Sequence, residues 1–573
     1  TAVQATVGMK ADLSKLVKGL SVNVDFSFDF NNVYVKKYGK TSDMFLFNSD
    51  GSYTHKAFAS ALGFGDELSV YNSQYVFEPS INYNNTFGDH EVSGLVLFNA
   101  QEYVKKGDAL TRLPYRRLGL VGRATYSYKN KYLGEVNIGY NGSENFAPGH
   151  RFGFFPAFSL GWVVSEESFF NTSVVDYLKL RASYGSVGNQ AGIDRYDGTQ
   201  LYNFKPSQGA LIGNGKVSYV DTSGKLPSLD RTWERIHNYN IGLDFGFLNH
   251  RLTGTAEMFW KKSNNMLIDV IYPGILGDKA PTANYGAFKA HGWEGMINWS
   301  DRIGQVNYHL GGTFTYTTNE LTDNGGSGAI KSGVRSDREG YPLNSVFGLR
   351  YCGKIQTEEQ LKKYVNQYKN NSTIGTLDNL RLGDNMFEDV NKDGKLTEED
   401  FVYLGTDDPK VQFSVNVGLE WKGLDLSIVF QGAGKRTVWR EKSTWRIPMR
   451  AVYQNGSNQF IGNTWNPDNT GAYYPSLTNK SEINDYNYQC SSWSVEDGAY
   501  LRLKNVTLGY SLPSSLLAKT KVLSKARIYV TGSDLWEHSN INDGWDPEAN
   551  REVDNAKRYP FLRTVTFGLN LTF

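Results

Sequence analysis

A strict two-residue alternation of apolar and polar side chains recurs along this chain and constrains its fold more than any other feature. In the segment SVNVDFSFDF, Ser21–Phe30, every second residue is Val or Phe, and the residues between them are Asn, Asp or Ser. Only a β-strand puts these two sets on opposite faces, so one face must meet water and the other an apolar surface. The same alternation recurs in His250–Trp260, Val306–Thr318, Val411–Trp421, Leu501–Leu512 and Thr564–Phe573.

The number, length and aromatic content of these segments favour strands that cross a membrane. About 16 to 18 of them can be counted, most near the ~9–11 residues with which a tilted strand crosses a bilayer. Aromatic residues make up 14% of the chain. A soluble β-sandwich or propeller is the alternative, because half-buried strands also alternate. We predict an all-β fold, a transmembrane antiparallel β-barrel. On the last strand, the side chains expected to face lipid are Val565, Phe567, Leu569, Leu571 and Phe573.

Composition excludes several other classes of protein. The mean hydropathy is −0.46, and no apolar run approaches the ~18 residues of a membrane-spanning helix. A barrel gives the same low value, because its lipid-facing and lumen-facing residues average out. The 60 basic and 59 acidic residues leave a net charge of +1, so nucleic acid is not an expected partner. Two cysteines, Cys352 and Cys490, form no CxxC pair, and the spacing does not decide whether they pair with each other.

The connections between the alternating segments fall into two length classes. Short ones are Ser127–Leu133, Phe247–Leu252 and Trp421–Leu426, and long ones are Gln431–Ala499 and Ser539–Tyr559. Outer-membrane barrels have short periplasmic turns and long extracellular loops. We therefore expect residues 431–499 to form a long extracellular loop.

The chain shows no arrangement of residues typical of an enzyme. Its eight histidines are scattered, without an HExxH pair, and no GxSxG nucleophile motif is present. The stretch GAGK at Gly432–Lys435 resembles the end of a phosphate-binding loop, but Val429 stands where the first glycine belongs. The sequence therefore predicts a protein without catalytic activity.

A collinear series of motifs runs through most of the chain. Near the C-terminal end these are Gly498–Pro513, Ala526–Trp536, Gly544–Glu548 and Thr566–Phe573. Further blocks are Ala124–Phe146, Arg151–Phe170, Tyr177–Gln190, Trp233–Leu252 and Thr464–Leu477. Together these motifs resemble SusC/RagA-like TonB-dependent transporters, the outer-membrane nutrient importers of Bacteroidota. An ordered series of this kind is far more specific than any one motif.

The resemblance implies a barrel of about 22 strands, of which residues 1–573 form the C-terminal portion with about 16–18 strands. The resemblance places a plug domain and a TonB box upstream. The first barrel strands are also expected there, since lipid does not tolerate an open sheet edge. The first residues resemble no signal peptide, and the chain is expected to begin partway through a longer protein. The implied localisation is the outer membrane, crossed many times and surrounded by lipid and lipopolysaccharide. The implied partners are a SusD-like surface lipoprotein and the TonB complex, reached through the missing N-terminal region.

The stretch EDVNKDGKLTEED, Glu388–Asp400, resembles a calcium-binding loop, with a glycine at its sixth position, Gly394. The ligands expected for a structural Ca²⁺ are the side chains of Asp389, Asn391, Asp393 and Asp400 and the carbonyl of Lys395. We expect a rigidifying site and not a sensor, because no amphipathic helix flanks the loop. An Asx-rich turn without metal is the alternative. Upstream, Thr357–Tyr368 is predicted to form a short capped helix.

Aromatic and basic side chains crowd the loop at 431–499 and are candidate contacts for substrate. Aromatic rings suit the apolar faces of sugars, and guanidinium groups suit carboxylates. Packing within the loop, or an aromatic girdle at the membrane interface, is the alternative. The candidates are Trp439, Trp445, Trp465, Tyr453 and Arg440.

These features predict TonB-dependent active import of a bulky polar nutrient across the outer membrane. An oligosaccharide is the leading substrate class, and peptides are the alternative. A passive porin or adhesin on the same barrel is a different hypothesis, which needs neither plug nor TonB box. A secreted calcium-stabilised β-protein is a third, and it would bury the apolar strand faces in a core.

Overall fold

The computed structural model describes most of the chain, in segments. These are residues 2–105, 113–170, 172–191, 193, 199–200, 202–213, 215–222, 226–269, 282–326, 333–440, 458–520, 522–541, 545–548 and 562–573. None of the helices in these segments is long and apolar enough to cross a membrane.

The described residues form mainly strands. The strands are β1 (Ala2–Asp12), β2 (Leu20–Gly39), β3 (Met44–Phe47), β4 (Tyr53–Ala57), β5 (Gly63–Phe87), β6 (His90–Lys105), β7 (Tyr115–Tyr128), β8 (Tyr132–Ser143), β9 (Phe152–Val163), β10 (Val175–Asn189), β11 (Tyr202–Lys205), β12 (Leu211–Ile212), β13 (Gly215–Lys216), β14 (Tyr219–Thr222), β15 (Glu234–Phe247), β16 (Leu252–Asp269), β17 (Thr282–Ile303), β18 (Val306–Asn324), β19 (Ser345–Gly348), β20 (Tyr351–Lys354), β21 (Asn385–Phe387), β22 (Val402–Thr406), β23 (Val411–Trp421), β24 (Leu424–Ala433), β25 (Thr437–Val438), β26 (Glu496–Asp497), β27 (Tyr500–Ser511), β28 (Lys525–Ser539) and β29 (Thr564–Thr572). The α-helices are α1 (Glu358–Tyr368), α2 (Ser481–Asn487) and α3 (Ser514–Leu517).

Seventeen of the described strands belong to one large sheet, namely β1, β2, β5–β10, β15–β18, β23, β24 and β27–β29. The registers within it are antiparallel. By its contacts the chain divides into two compact units. Unit 1 comprises Thr1–Gly161, Ser183–Ile236 and Tyr272–Asn284, and unit 2 comprises Trp162–Ala182, His237–Ile271 and Tyr285–Phe573.

In unit 1 the longest strands are β2 and β5, with 20 and 25 residues. Phe26 of β2 lies opposite Phe77 of β5, and Phe28 lies opposite Tyr75. The rings of Phe28 and Tyr75 are 5.0 Å apart between centroids. Residues that face each other across an antiparallel pair point to the same side, so the alternation in the sequence becomes a continuous aromatic face.

In unit 2 the strand pairs β17–β18, β18–β23, β23–β24, β24–β27, β27–β28 and β28–β29 follow one another in chain order. The register lines up Leu310, Val417, Ile428 and Val506 in one row across four strands. A shift of one residue would replace this row by its polar neighbours. The alternating sequence therefore specifies the register as well as the strands.

Short and long connections join consecutive strands of the large sheet. At the turn after β7, Lys129 and Asn130 have φ values of 53° and 55°, and after β23, Lys422 and Gly423 have 47° and 90°. Left-handed backbone at both central positions matches the turns that fit twisted hairpins. The predicted tight turns within Ser127–Leu133, Phe247–Leu252 and Trp421–Leu426 are confirmed. The predicted loop at 431–499 is observed as the connection 434–499, of which residues 441–457 lie outside the described segments.

The apolar faces of the sheet are exposed. Side chains that a soluble sandwich would bury between two layers lie at the surface, among them Phe26, Phe98, Leu120, Ile138, Trp293 and Ile528. Exposed apolar area on this scale is rare in soluble monomers and marks contact with a membrane or a partner.

Much of the buried apolar core lies in the connections and not under the sheet. We name residues 333–410 and 458–499 the loop module. Its larger hydrophobic cluster contains Leu349, Ile355, Tyr364, Tyr368, Ile374, Leu377, Leu380, Phe387, Leu396 and Tyr486. A second cluster contains Phe460, Tyr474, Tyr488 and Trp493. Two connections that are far apart in the sequence thus fold together as one small globular unit.

Buried polar contacts join the two halves of the loop module. The hydroxyl groups of Tyr364 and Tyr486 are 2.7 Å apart, and the backbone N–H of Asn385 donates to Asn487 Oδ1 at 2.8 Å. Asn487 Nδ2 donates to Asp384 Oδ1 at 2.8 Å, and burial raises the pKa of the Asp384 carboxyl. These buried bonds tie residues 364–387 of the first connection to residues 486–487 of the second.

Two further expectations concern the loop module. Helix α1 is confirmed, and the Thr357 hydroxyl caps it by accepting from the backbone N–H of Gln360 at 3.2 Å. No disulfide joins Cys352 to Cys490. Packing and hydrogen bonds therefore hold the module together.

Truncating Leu349 to Ala should loosen the loop module and leave the sheet intact. This side chain is completely buried, and Leu→Ala changes in a core cost about 2–5 kcal/mol. We expect faster hydrogen exchange and faster proteolysis within 333–410 and 458–499. The matched control is Leu477→Ala in the same module, where the side chain is 48% exposed. Equal exchange rates in the two variants would contradict the assignment of this core.

Candidate functional site

The polar face of the sheet contains places where a glycine leaves room for long side chains of its neighbours. Gly119 of β7 lies between Asn99 of β6 and Asn141 of β8 in one cross-strand row. A Cβ atom on Gly119 would lie 2.8 Å from Asn141 Oδ1 and 3.9 Å from Asn99 Cβ. The two amides can therefore approach each other across the glycine, which a larger residue would prevent.

Unit 2 uses the same arrangement for charged groups. Arg181 Nε lies 3.2 Å from Asp244 Oδ1, and its Nη1 lies 2.5 Å from Glu257 Oε2. A Cβ on Gly242 would fall within 2.6 Å of this guanidinium. Arg527 likewise reaches Asp425, with 2.9 Å between Nε and Oδ1, over Gly509. Charged side chains of this kind need water or opposite charges around them. This face of the strands is therefore the one that contacts water.

A cavity of about 840 Å³ opens on the polar side of unit 1. Side chains and backbone from β5 to β8, β10 and the residues just beyond it line this cavity. Six of the lining side chains are carboxamides, Asn99, Gln101, Asn141, Asn145, Asn189 and Gln190. Its size is in the range of known small-molecule sites.

Hydrogen bonds fix several of the groups around this cavity. Asn99 Nδ2 donates to Glu78 Oε1 at 2.6 Å, and Asn189 Nδ2 donates to Glu234 Oε2 at 2.8 Å. Arg117 lies over the ring of Tyr115, with its Nε 2.9 Å from the Tyr115 hydroxyl. The cavity wall is therefore a preorganised set of donors and acceptors.

The predicted calcium loop folds as a compact series of turns. Gly394 has a φ of +80°, and its N–H donates to Asp389 Oδ2 at 2.8 Å. Asn391 Oδ1 accepts from the N–H of Asp393, and Asp393 Oδ1 accepts from the N–H of Lys395. The last two are Asx-turn hydrogen bonds, which the alternative without metal also predicts.

Asp400 is used differently from the other predicted ligands. It is completely buried, and its carboxylate accepts from the backbone N–H groups of Val390 and Thr397 at 2.8 and 2.9 Å. Asp389 Oδ1, in contrast, is buried without a hydrogen-bond partner. Among the described residues, no three His, Cys, Asp or Glu side chains form a group able to hold a metal ion. A cation here would need the Asn391 amide and the Lys395 carbonyl as further ligands, and metal binding by this loop stays a prediction.

The predicted substrate contacts in the loop are mostly packing residues. Trp465 is 7% exposed and donates from Nε1 to Gln356 Oε1 at 3.0 Å. Arg440 is 4% exposed, with its Nε 2.9 Å from Glu496 Oε2. Trp439 accepts at its carbonyl from Arg335 Nη2 at 3.2 Å. Trp445 and Tyr453 lie outside the described residues. The described candidates thus have roles within the fold, and their contact with substrate stays a prediction.

The apolar side chains of the last strand are exposed. Val565, Phe567, Leu569, Leu571 and Phe573 are all exposed, Phe567 by 82%. Across the strand pair, Leu569 lies opposite Ile528, which is exposed as well. This placement is the one that the predicted contact with lipid requires, although the contact itself stays a prediction.

An ion cluster around Arg502 was not predicted from the sequence. The side chain is completely buried, and its guanidinium lies 2.7 Å from Glu537 Oε2, 2.8 Å from Asp546 Oδ1 and 2.8 Å from Glu548 Oε2. The last two residues belong to the Gly544–Glu548 motif. An arginine on the polar face of a strand, together with an acidic motif just after the next strand, was the available signal. The cluster fastens residues 545–548 to the ends of β27 and β28.

Comparison with known proteins gives consistent matches. The family model described as "TonB dependent receptor-like, beta-barrel" matches residues 9–532. The TonB-dependent receptor SusC of Bacteroides thetaiotaomicron is 25% identical over 602 residues, covering 96% of this chain and 55% of that protein. The TonB-dependent receptor P26 of Formosa agariphila is 29% identical over 480 residues, covering 79% of this chain and 46% of that protein. The solved structure of the RagAB peptide transporter matches with a TM-score of 0.77 and 20% identity, over 100% of this chain and 62% of that one.

The large antiparallel sheet has exposed apolar faces and a polar face joined by ion pairs. These are the features of a protein that crosses the outer membrane with strands. The chain belongs to the TonB-dependent receptor family and forms part of its β-barrel. The resemblance to SusC/RagA-like proteins is thereby confirmed, as are the barrel fold, the outer-membrane localisation and the absence of enzymatic function in the family. The secreted soluble β-protein considered above is wrong. The chain spans about half the length of the curated relatives it matches.

Removing the buried arginine should destabilise this end of the sheet strongly. In an Arg502→Met variant three carboxylates would lose their common counter-charge, and breaking a buried ion pair costs about 3–5 kcal/mol. We expect a lower unfolding temperature of the detergent-solubilised protein and early release of residues 545–548 in hydrogen exchange. The control is Arg350→Met, whose ion pair with Glu388 is half exposed and contributes about 0–1 kcal/mol. Similar losses in both variants would contradict a special role for Arg502.

Proposed function

We propose that this chain is the barrel portion of a SusC-like TonB-dependent importer that moves a bulky polar nutrient across the outer membrane. The family match over residues 9–532 supports this proposal most directly. The ion ladders and the amide-lined cavity on the polar face of the strands add to it, because a polar cargo needs a wet, hydrogen-bonding passage. The short turns would face the periplasm, and the loop module would face the outside.

The substrate class is proposed to be an oligosaccharide. The supporting observation is the large share of carboxamides around the cavity of unit 1, which offer donors and acceptors without net charge. The solved structure of RagAB, named above, is described as that of a peptide transporter. Peptides are therefore the second candidate class.

The proposed partners follow from the same family. A SusD-like surface lipoprotein would cover the outer end of the barrel and capture substrate. The TonB complex would supply energy through a plug and TonB box outside residues 1–573. The mechanism would be capture by the lipoprotein, closure over the barrel, and displacement of the plug.

Uptake should depend on the energised inner membrane. Cells that carry the whole protein and its lipoprotein partner are given labelled neutral oligosaccharides, oligogalacturonates or peptides, with and without a proton uncoupler. We expect accumulation of oligosaccharide that the uncoupler abolishes, since TonB draws on the proton gradient. Uptake that continues after uncoupling would support a passive porin. Accumulation of peptide alone would overturn the proposed substrate class and leave the importer in place.

We further propose that the loop at Glu388–Asp400 holds one structural Ca²⁺. The carboxylates of Asp389 and Asp393, the amide of Asn391, the carbonyl of Lys395 and the second lone pairs of Asp400 would hold it. Its support is the buried, partnerless oxygen of Asp389, because a bound cation removes the cost of such an atom. The ion would stiffen the loop and take no part in transport chemistry.

Calcium removal should loosen this loop in the wild-type protein only. We expect a chelator to speed proteolysis and hydrogen exchange at 386–401, and the double variant Asp389→Ala, Asp393→Ala to behave like the chelated protein with or without calcium. Asp378→Ala is the matched control, because its carboxylate forms an exposed pair with Lys369 in the same module. Identical behaviour of the wild type with and without chelator would leave the Asx-turn alternative.

A further inference from the structure

Three arginines of unit 2 with little or no exposure contact the same four residues, 545–548, which we name the clasp. Arg502 of β27 is completely buried, Arg440 is 4% exposed, and the side chain of Arg436 is 13% exposed. A guanidinium group stays charged when it is buried, so it needs acceptors and counter-charges close by. The clasp provides part of this environment for each of the three arginines.

Arg502 joins the clasp to the large sheet. Its Nη2 donates to Asp546 Oδ1 and its Nη1 donates to Glu548 Oε2, both at 2.8 Å. Its Nε donates to Glu537 Oε2 of β28 at 2.7 Å. Gln431 of β24 also contacts the clasp, because its Nε2 donates to Glu548 Oε1 at 3.2 Å. Gln431, Arg502 and Glu537 lie in one cross-strand row, so the clasp is bonded to three neighbouring strands.

Arg436, which follows β24, joins the clasp to the loop module. Its Nη1 donates to the carbonyl of Pro547 at 2.9 Å, and its Nη2 donates to Asp407 Oδ1 at 3.0 Å. Asp407 is a residue of the module and is 4% exposed. A Cβ atom on Gly498 would lie 2.8 Å from Arg436 Cγ, so this glycine leaves the space along which the arginine extends. One guanidinium thus bridges the clasp and the module.

Arg440 makes a second bridge of the same kind. Its guanidinium lies 5.5 Å from the centroid of the Trp545 ring, and its Nε donates to Glu496 Oε2 of the loop module at 2.9 Å. The first and third residues of the clasp therefore contact arginines that are paired with the module. The second and fourth residues contact the arginine of the sheet. Beneath the clasp, β25 and β26 pair over two residues each.

The loop module is also bonded to β18, through its backbone. The N–H of Leu321 donates to the Tyr341 carbonyl, and the N–H of Gly340 donates to the Leu321 carbonyl, both at 2.9 Å. Strand β18 is separated from β24 by β23. The module is thus attached to the sheet by backbone bonds on one side and by the clasp on the other.

We propose that the clasp fixes one side of the loop module to strands β24, β27 and β28, and that its release lets this side move away while the attachment at β18 acts as a hinge. The two hydrophobic clusters lie within the module, so they give it a shape without attaching it to the sheet. Charge-assisted hydrogen bonds are directional, and the module keeps one position while they are made. This role does not depend on which nutrient the protein imports.

The test removes the charges of the clasp and leaves its contacts with the module in place. In the double variant Asp546→Asn, Glu548→Gln, the side chains keep their size, and Arg502 keeps Glu537 as a counter-charge. Amide exchange is followed by mass spectrometry in the whole protein in detergent. We expect exchange about tenfold faster or more at β25 and β26, and wild-type rates at residues 340–343, beside the hinge.

The double variant Asp534→Asn, Glu537→Gln is the matched control. It removes two carboxylates near the same guanidinium, with oxygens 4.0 and 2.7 Å from Arg502 Nε, but both belong to β28 and not to the clasp. Asp534 has a φ of 55°, which Asn tolerates. We expect wild-type exchange at β25 and β26 in this control. Equal amounts of heat-modifiable protein in the outer membrane show that the variants fold.

Trp545→Ala tests the module side of the clasp without a change of charge, because Arg440 keeps its pair with Glu496. We expect faster exchange at β25 and β26 here as well. Trp536→Ala is its control, since this tryptophan of β28 is 46% exposed and lies outside the clasp. If the charge variants do not fold, this second pair decides.

The outcomes are distinct. Wild-type exchange at β25 and β26 in the clasp variants would overturn the proposal. An equal increase in a clasp variant and its control would also overturn it, because that result means general loosening around the arginines. Faster exchange at residues 340–343 as well would overturn the hinge at β18.

Discussion

Hydrocarbon offers a strand no hydrogen-bond partner, and this one constraint shapes the whole sheet. Every backbone N–H and C=O inside a membrane must be satisfied by a neighbouring strand, which leaves the side chains only two faces to occupy. Antiparallel pairing then puts directly opposite residues on the same face. The row of Leu310, Val417, Ile428 and Val506 shows the result, since four alternating sequences in register give one continuous apolar stripe. A shifted register would turn polar side chains toward lipid, and the free-energy cost of this exposure fixes the register.

The polar face has a different problem, because it has no core to hold it together. Long side chains that extend across a neighbouring strand stabilise this face. A glycine on that strand leaves the space for them. The side chain of Arg181 lies over Gly242 and contacts Asp244 and Glu257. The side chain of Arg527 lies over Gly509 and contacts Asp425. At Gly119 the Asn141 amide takes this space, with its Oδ1 2.8 Å from the position of a Cβ atom there. The side chains that flank each glycine therefore decide whether an ion pair or a neutral amide fills the space beside it.

Local features of the fold were predictable, and long-range ones were not. The alternation identified the strands, and short polar stretches such as Lys129–Asn130 identified the turns, because both depend on neighbouring residues only. Thr357 was recognised as a helix cap for the same reason. The loop module depends on pairs such as Asn385 and Asn487, which are 102 residues apart, and no local pattern reports such a contact. The hydrogen bond of Trp465 to Gln356, 109 residues away, is another contact of this kind. No local pattern predicts the cavity of unit 1, because the strand register brings its lining residues together.

Two buried oxygens without partners, Asn145 Oδ1 and Asp389 Oδ1, deserve comparison because their chemistry differs. Each imposes a cost that folding alone does not recover. A neutral amide oxygen is satisfied by a hydroxyl group, whereas a carboxylate oxygen among other carboxylates is satisfied far better by a cation. Asp400 strengthens the second case, since its own oxygens are occupied by backbone N–H groups that shape the loop in advance. The chemistry of the unpartnered atom therefore decides what would satisfy it, and at Asp389 this chemistry supports the proposed Ca²⁺.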